Sequence, residues 1–173
     1  MGRQIASAKQ AALPRPTLLR PSHILAEFDC GEPTLNLWLQ RRALPAIATR
    51  TANTFVVCRG KRVVGYFSLA NGAVGHSETS AKVRQNMPDP IPATVLARLA
   101  VDKSEQRKGL GADLLQEAMK RTLAGAKHAA ARLLIVHALN AKAFDYYTKN
   151  GFSPIRGDSN ALYIPLETIA ATL

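Results

Sequence analysis

Gln106, Arg107, Lys108, Gly109, Leu110 and Gly111 stand directly before a regular amphipathic run. A helix leaves its first amide N–H groups unpaired, and its aligned peptide dipoles place roughly half a positive charge at that end. Phosphate is the natural guest of such a terminus. Backbone comes close to a phosphate only where side chains are missing, which Gly109 and Gly111 provide, while Arg107 and Lys108 add charge and Gln106 adds hydrogen-bonding capacity. Without a ligand the same residues make a basic, glycine-containing turn, and spacing alone leaves both readings open. Two other phosphate loops are excluded. The Walker pattern, glycine and four residues before Gly-Lys-Ser/Thr, occurs nowhere, and a dinucleotide fingerprint requires glycine or alanine where this chain has Leu114.

A second group of reactive side chains lies in "HALNAKAFDYYTKNGF", residues 137–152. The Tyr147 phenol can protonate a departing thiolate, or it can pack under the helix end as an aromatic. Asn140 can meet a ligand or cap the helix that follows it. His137 sits in an apolar run and reads as a core residue with no role. No Ser/His/Asp or Cys/His arrangement suggests a covalent intermediate, and the four histidines lack zinc-ligand spacing, so no metal is expected. Cys30 and Cys58 have no CxxC spacing and read as buried free thiols.

Positioning these groups requires both strands and helices. "PTLLRPSH" offers a short strand. Residues 28–51 form an amphipathic helix, with Leu35, Trp38 and Leu39 on one side, interrupted or ended near Pro45. Residues 54–58 and 62–70 are two β-rich runs joined at Gly60 as a hairpin. The proline-punctuated stretch 76–92 reads as a loop with at most a short helix. Residues 93–101 and 131–139 are apolar enough for strands covered on both faces. Between them Leu110, Leu114, Leu115, Ala118 and Thr122 line one side of a helix. A helix over 140–151 ends at Asn150 and Gly151, and a strand over 161–166 finishes the chain. The expected class is α/β, in a single domain over residues 1–173 with a loose lead-in at 1–15.

The 173 residues carry 23 Lys and Arg against 12 Asp and Glu, a net charge of +11, which favours an anionic partner. No apolar run reaches membrane-spanning length, the N-terminus has no signal-peptide core, and Ala6 breaks the myristoylation pattern. A cytoplasmic protein without membrane attachment is expected.

"LARLAVD", "QRKGLGADLL", "LLIVHAL" and "NAKAFDYYTKNGF" in this order resemble the GCN5-related N-acetyltransferase (GNAT) family, whose signature Gln/Arg-x-x-Gly-x-Gly/Ala binds the pyrophosphate of acetyl-CoA. "FDCGEPTLNLWLQRRA", "TANTFVV", "VVGYFSLANGAV" and "MPDPIPATVLARLAVD" extend the resemblance to acetyltransferase toxins of bacterial toxin–antitoxin pairs, the TacT-like and AtaT-like group, over about residues 16–168.

The resemblance implies a mixed, mostly antiparallel twisted sheet whose central strands, 96–101 and 133–138, splay to admit the pantetheine arm. It implies acetyl-CoA as co-substrate, held by Leu99, Ala100 and Val101, by Gln106, Arg107, Lys108, Gly109, Leu110, Gly111 and Ala112, and by Asn140 and Ala143. Tyr147 becomes the general acid toward the CoA thiolate, and Tyr146 stays in the core. The implied acceptor is the α-amino group of aminoacyl-tRNA, whose acetylation blocks translation. Arg41, Arg42, Arg50, Lys82, Arg84 and Arg98 are candidates for its phosphates. A cognate DNA-binding antitoxin of ribbon-helix-helix type and a homodimer are implied as well. Phe67 stands where many relatives carry a second tyrosine, removing a hydroxyl from the middle of the sheet, with an expected effect on substrate-side contacts. Alternative readings are a GNAT enzyme acting on a protein or small-molecule amine, and a non-catalytic basic binding module.

Overall fold

The computed structural model describes residues 12–158 and 160–173. Seven strands form one sheet in the order β1-β2-β3-β4-β5-β7-β6. They are β1 (Thr17–Leu18), β2 (Asn53–Arg59), β3 (Arg62–Val74), β4 (Ile91–Val101), β5 (Leu133–His137), β6 (Ser153–Pro154) and β7 (Ala161–Pro165). Every pairing is antiparallel except β4 with β5, which are joined by the crossover helix α4 (Leu110–Gly125). The expected hairpin is β2–β3, turning at Gly60 with φ 61°.

One face of the sheet is covered by α4, α5 (Ala141–Lys149) and α6 (Leu166–Thr172), which close on Leu96, Leu134, Val136 and Phe67. Over β2 and β3 the other face carries α1 (Pro33–Arg41) and α2 (Ala43–Ala48), packed on Val56, Val63, Tyr66 and Ala100. A short helix, α3 (Ala81–Arg84), brings Val83 onto Ile91, Leu133 and Ile135.

Several expectations are corrected. The helix expected at 28–51 begins only at Pro33, and its interruption near Pro45 falls at Arg42, with Pro45 itself inside α2. Pro45 has no N–H for the carbonyl four residues earlier, at Arg41, so α1 ends there and α2 begins with Ala46 N–H donating to the Arg42 carbonyl at 2.9 Å. β3 and β4 run four and two residues further than the apolar pattern indicated, through Val74 and back to Ile91. Pro92 is tolerated near the start of β4, and its carbonyl accepts from Arg132 N–H at 2.8 Å. The final strand is followed by α6, seven residues that set Leu166 and Ile169 into the core. The lead-in lies outside the described residues as far as position 11. From there it is fastened along α4: Leu13 packs on the core, and Arg121 donates to the Pro16 carbonyl at 2.7 Å.

Candidate active site

β4 and β5 pair only from Ala93 to Leu96 against Leu133 to Val136. Beyond that point a bulge intervenes: Ser68 of β3 faces Arg98 and Leu69 faces Leu96, leaving Ala97 as the extra residue. A bulge bends its strand and re-aims the side chains after it. β4 therefore continues along β3 to Val101 while β5 ends at His137, and the expected splay opens between them. The opening is a cleft of about 670 Å³. Leu96, Ala97, Arg98 and Leu99 line it from β4, Thr34, Leu35 and Trp38 from α1, and His137, Ala138, Asn140, Ala143 and Tyr147 from the β5–α5 side.

The glycine loop closes one end of β4. Asp102 caps the turn beyond the strand, accepting from Ser104 N–H at 3.0 Å, from the Ser104 hydroxyl at 2.6 Å and from Asp29 N–H at 2.8 Å. Burial pushes its carboxyl pKa up, and these hydrogen bonds with nearby Arg62 outweigh it, leaving the group below its ordinary value. Glu105 is 2% exposed and paired with Arg59, whose hydrogen bond holds the carboxyl below the usual range against the opposing effect of burial. Arg107 and Gly109 then take left-handed conformations, φ 62° and 87°, and deliver the chain to the first turn of α4. A Cβ on Gly109 meets nothing within 4 Å, so the loop is open above that residue, as a phosphate cradle requires.

Two side chains expected at the phosphates have partners within the protein. The Gln106 amide donates to the Cys30 and Val101 carbonyls, both at 2.9 Å, engaging both its hydrogens in tying the loop to β4. Lys108 Nζ turns back to the Ser104 carbonyl at 3.0 Å and lies 3.6 Å from Glu105. What the loop leaves open is the exposed Arg107 side chain and the backbone at Gly109. Leu110 and Ala100 direct their side chains into the cores on opposite faces of the sheet and offer only backbone.

Tyr147 lies in the cleft wall, 9% exposed, with its ring 5.4 Å from Phe152 and 5.6 Å from Tyr146 in edge-on contacts. Burial, with a smaller contribution from Tyr146, pushes its phenol up to about 12, so it is a protonated donor throughout the physiological range. Tyr146 is half-buried against the core, and its hydroxyl is buried without a partner. Asn140 caps α5, its side-chain oxygen accepting from Ala143 N–H at 2.9 Å, and it also lines the cleft.

His137 is not a core residue: it ends β5, is exposed and lines the cleft. Phe67 is fully buried beneath α4 and stacks on Phe55 at 5.2 Å, and it does not line the cleft. The preceding Tyr66 faces α1, donating to the Leu35 carbonyl at 2.8 Å and stacking on Trp38. Cys30 is half-buried and Cys58 buried, both free thiols.

The six basic candidates are not gathered in one place. Arg41 and Arg42 are exposed at the α1–α2 joint. Arg50 follows α2, and beside it Phe55, Leu69 and Arg121 line a separate groove under the end of α4. Lys82 is exposed on α3, and Arg84 donates to the His76 and Thr79 carbonyls. Arg98 alone lines the cleft, its guanidinium 4.1 Å from the centre of the Trp38 ring. Trp38, Leu35, His137, Asp158 and Asn160 were not singled out for the site, because they converge only through the packing of α1 and the turn before β7 against the splayed strands.

The chain belongs to the GNAT acetyltransferase family: residues 50–154, from just before β2 to the end of β6, match the acetyltransferase (GNAT) domain. More particularly, it is 42% identical over 128 residues, 74% of this chain and 77% of the relative, to the tRNA-acetylating toxin of Mycobacterium tuberculosis. In three dimensions it is similar to AtaT complexed with acetyl-methionyl-tRNAfMet, with a TM-score of 0.85 and 30% identity over 91% of this chain and 98% of the other. It is also similar to a tyrosine-to-phenylalanine variant of AtaT bound to the C-terminus of the antitoxin AtaR and acetyl-CoA, with a TM-score of 0.80 and 31% identity over 94% and 99% of the two chains. Among the described residues, no helix is long and apolar enough to cross a membrane.

Proposed function

We propose that this protein is a toxin that transfers the acetyl group of acetyl-CoA to the α-amino group of an aminoacyl-tRNA and so blocks its use in translation. The observation that carries this reading is the placement of the Tyr147 phenol in the wall of the cleft opened by the Ala97 bulge, which Arg98 and the splayed end of β4 also line. The relatives that acetylate tRNA, or are complexed with acetyl-methionyl-tRNA, point to the same acceptor.

Acetyl-CoA fits what the residues offer. Its pyrophosphate would lie on the open glycine loop, and the β4 backbone at Leu99 and Val101, freed from β5 by the splay, supplies strand-like hydrogen-bonding groups for the pantetheine amides. The neutral α-amine attacks the thioester carbon, a C–N bond forms, and the C–S bond breaks as sulfur takes up negative charge. Tyr147 donates its hydrogen bond to that sulfur. A phenol pushed up to about 12 holds its proton more tightly than an ordinary thiol, so complete transfer alone is uphill. The proton therefore moves with restoration of the phenol by the proton that the amine nitrogen loses. An α-amine next to an ester is less basic than lysine, which supplies neutral nucleophile near pH 7 without a strong base.

Incubation with acetyl-CoA and charged tRNA, nuclease digestion and mass spectrometry test this: N-acetyl-aminoacyl-adenosine is expected, and its absence for every amino acid overturns the reading. We further propose a cytoplasmic location, a homodimer, and neutralisation by a cognate DNA-binding antitoxin of ribbon-helix-helix type. The complex of the AtaT variant with AtaR supports an antitoxin partner. Arg41, Arg42, Arg50 and Lys82 would serve the body of the tRNA through screened phosphate contacts.

A further inference from the structure

We infer that Arg98, clamped on Trp38, is the binding site for the phosphate on the 5′ side of the acceptor's terminal nucleoside, an anion site distinct from the glycine loop that serves the donor. The inference rests on the aminoacyl-tRNA reading and specifies how the acceptor end is recognised.

The site begins with the bulge. Leu96 faces the α4 core, and uninterrupted alternation would turn Arg98 to that same face, into apolar packing. Because Ala97 is the extra residue, Arg98 shares a face with Ala100 and points toward α1. There its guanidinium lies 4.1 Å from the centre of the Trp38 ring. Trp38 is fixed in turn: it stacks on Tyr66 at 6.2 Å with 12° between the planes, and Tyr66 is anchored by its hydrogen bond to the Leu35 carbonyl. A guanidinium stacked in this way keeps its edge N–H donors free, in the fork geometry that matches phosphate.

Arg98 is also uncompensated. Arg59, Arg121, Arg132, Lys103 and Lys108 all pair with carboxylates, whereas no carboxylate among the described residues pairs with Arg98. Asp158 lines the same cleft but accepts from Asn160 N–H at 3.0 Å within its own turn. Burial lowers the Arg98 pKa, yet a guanidinium remains charged at any physiological pH. A half-buried cation without a counter-ion is costly in a free protein and is relieved by an arriving anion. Arg98 and Tyr147 line one cleft and no residue of the glycine loop lines it, so the anion at Arg98 is assigned to the acceptor and the donor's phosphates to the loop.

The test compares two acceptors differing only in the phosphate: an aminoacyl ester of adenosine and the same ester of adenosine 5′-monophosphate. The wild-type protein is expected to favour the phosphorylated ester about 10- to 100-fold in kcat/KM, the range of one charged hydrogen-bonded contact. Arg98→Gln is expected to bring that ratio near one, and Arg98→Lys to retain part of it, with charge kept and the fork lost. A ratio of one in wild-type protein that still acetylates charged tRNA overturns this inference alone. An Arg98→Gln protein that loses rate equally on both esters, with the ratio intact, also overturns it, by reducing Arg98 to a structural residue. Weakened acetyl-CoA binding in Arg98→Gln with an unchanged ratio assigns the cation to the donor instead. Failure of the wild-type protein to acetylate charged tRNA removes the aminoacyl-tRNA reading itself.

Discussion

The Gln106 side-chain amide donates to the Val101 carbonyl at 2.9 Å, fastening the glycine loop to the last residue of the splayed strand. Its other hydrogen goes to the Cys30 carbonyl, so one side chain holds the glycine loop in register with β4 and the segment before α1. Gln106→Ala removes both bonds. The expected outcome is an acetyl-CoA KM raised about 10-fold with kcat changed less than 2-fold, the range of two neutral hydrogen bonds. Steady-state kinetics with saturating acceptor checks it; an unchanged KM would show that the loop keeps its place without Gln106.

Gly109 and Gly111 separate two reasons for glycine. Gly109 has φ 87°, and any other residue there is strained by about 1–2 kcal/mol whatever space surrounds it. Gly111 lies in the first turn of α4, where a Cβ would meet only a Val101 methyl at 3.9 Å, an ordinary contact. Gly111→Ala should therefore stabilise the free protein by about 0.5–1 kcal/mol through helix propensity. If that position is glycine so that a phosphate can come close, the same variant binds acetyl-CoA more weakly. Melting curves with and without acetyl-CoA read both quantities, and the two are expected to move in opposite directions.

Tyr147 makes a prediction about pH. A phenol pushed up to about 12 remains the protonated donor below that pH, so its titration gives the rate profile no descending limb between pH 6 and 10. The rate should rise as the acceptor amine loses its proton and then level off. Tyr147→Phe is expected to bind acetyl-CoA with unchanged affinity, to lose about 10²- to 10⁴-fold in kcat, and to keep the shape of the profile. A descending limb near pH 9 that disappears in Tyr147→Phe would place the phenol's titration far lower and contradict its burial.

The β4–α4–β5 crossover was legible because its apolar runs and its glycine pair are local signals, and the hairpin at Gly60 was legible for the same reason. What was not legible depends on a single register shift. In "VLARLAV" nothing marks Ala97 as the residue that β3 leaves unpaired, yet that choice sends Arg98 to Trp38 rather than under α4. His137 looked like core because its neighbours are apolar, and it is exposed because β5 ends at that residue. Gln106 carried the right signature and another job: its partners, Cys30 and Val101, lie 76 and 5 residues away, and only the fold brings the first of them near. α6 escaped notice because seven residues directly after a strand carry too little periodicity to stand out.

Glu105 connects the loop to stability. Its carboxylate is 2% exposed, paired with Arg59 and 3.6 Å from Lys108, and the Arg59 hydrogen bond holds its folded pKa below the ordinary 4.5. A depressed folded pKa means that the stabilisation is fully present above the unfolded value and is lost as pH falls through the folded value. Wild-type melting temperature should therefore decline once pH drops below about 4.5, with Asp102, also held below its ordinary value, adding to the slope. Glu105→Gln keeps the shape of the side chain but leaves Arg59 without its charged partner, at a cost of about 1.5–3 kcal/mol near pH 7. Because the variant has nothing to protonate at this position, the gap between it and the wild-type protein should narrow as pH falls from 5 to 3. Melting curves across that interval check it, and a constant gap would mean that Glu105 titrates alike in the folded and unfolded protein, so that the loop is held by shape rather than by charge.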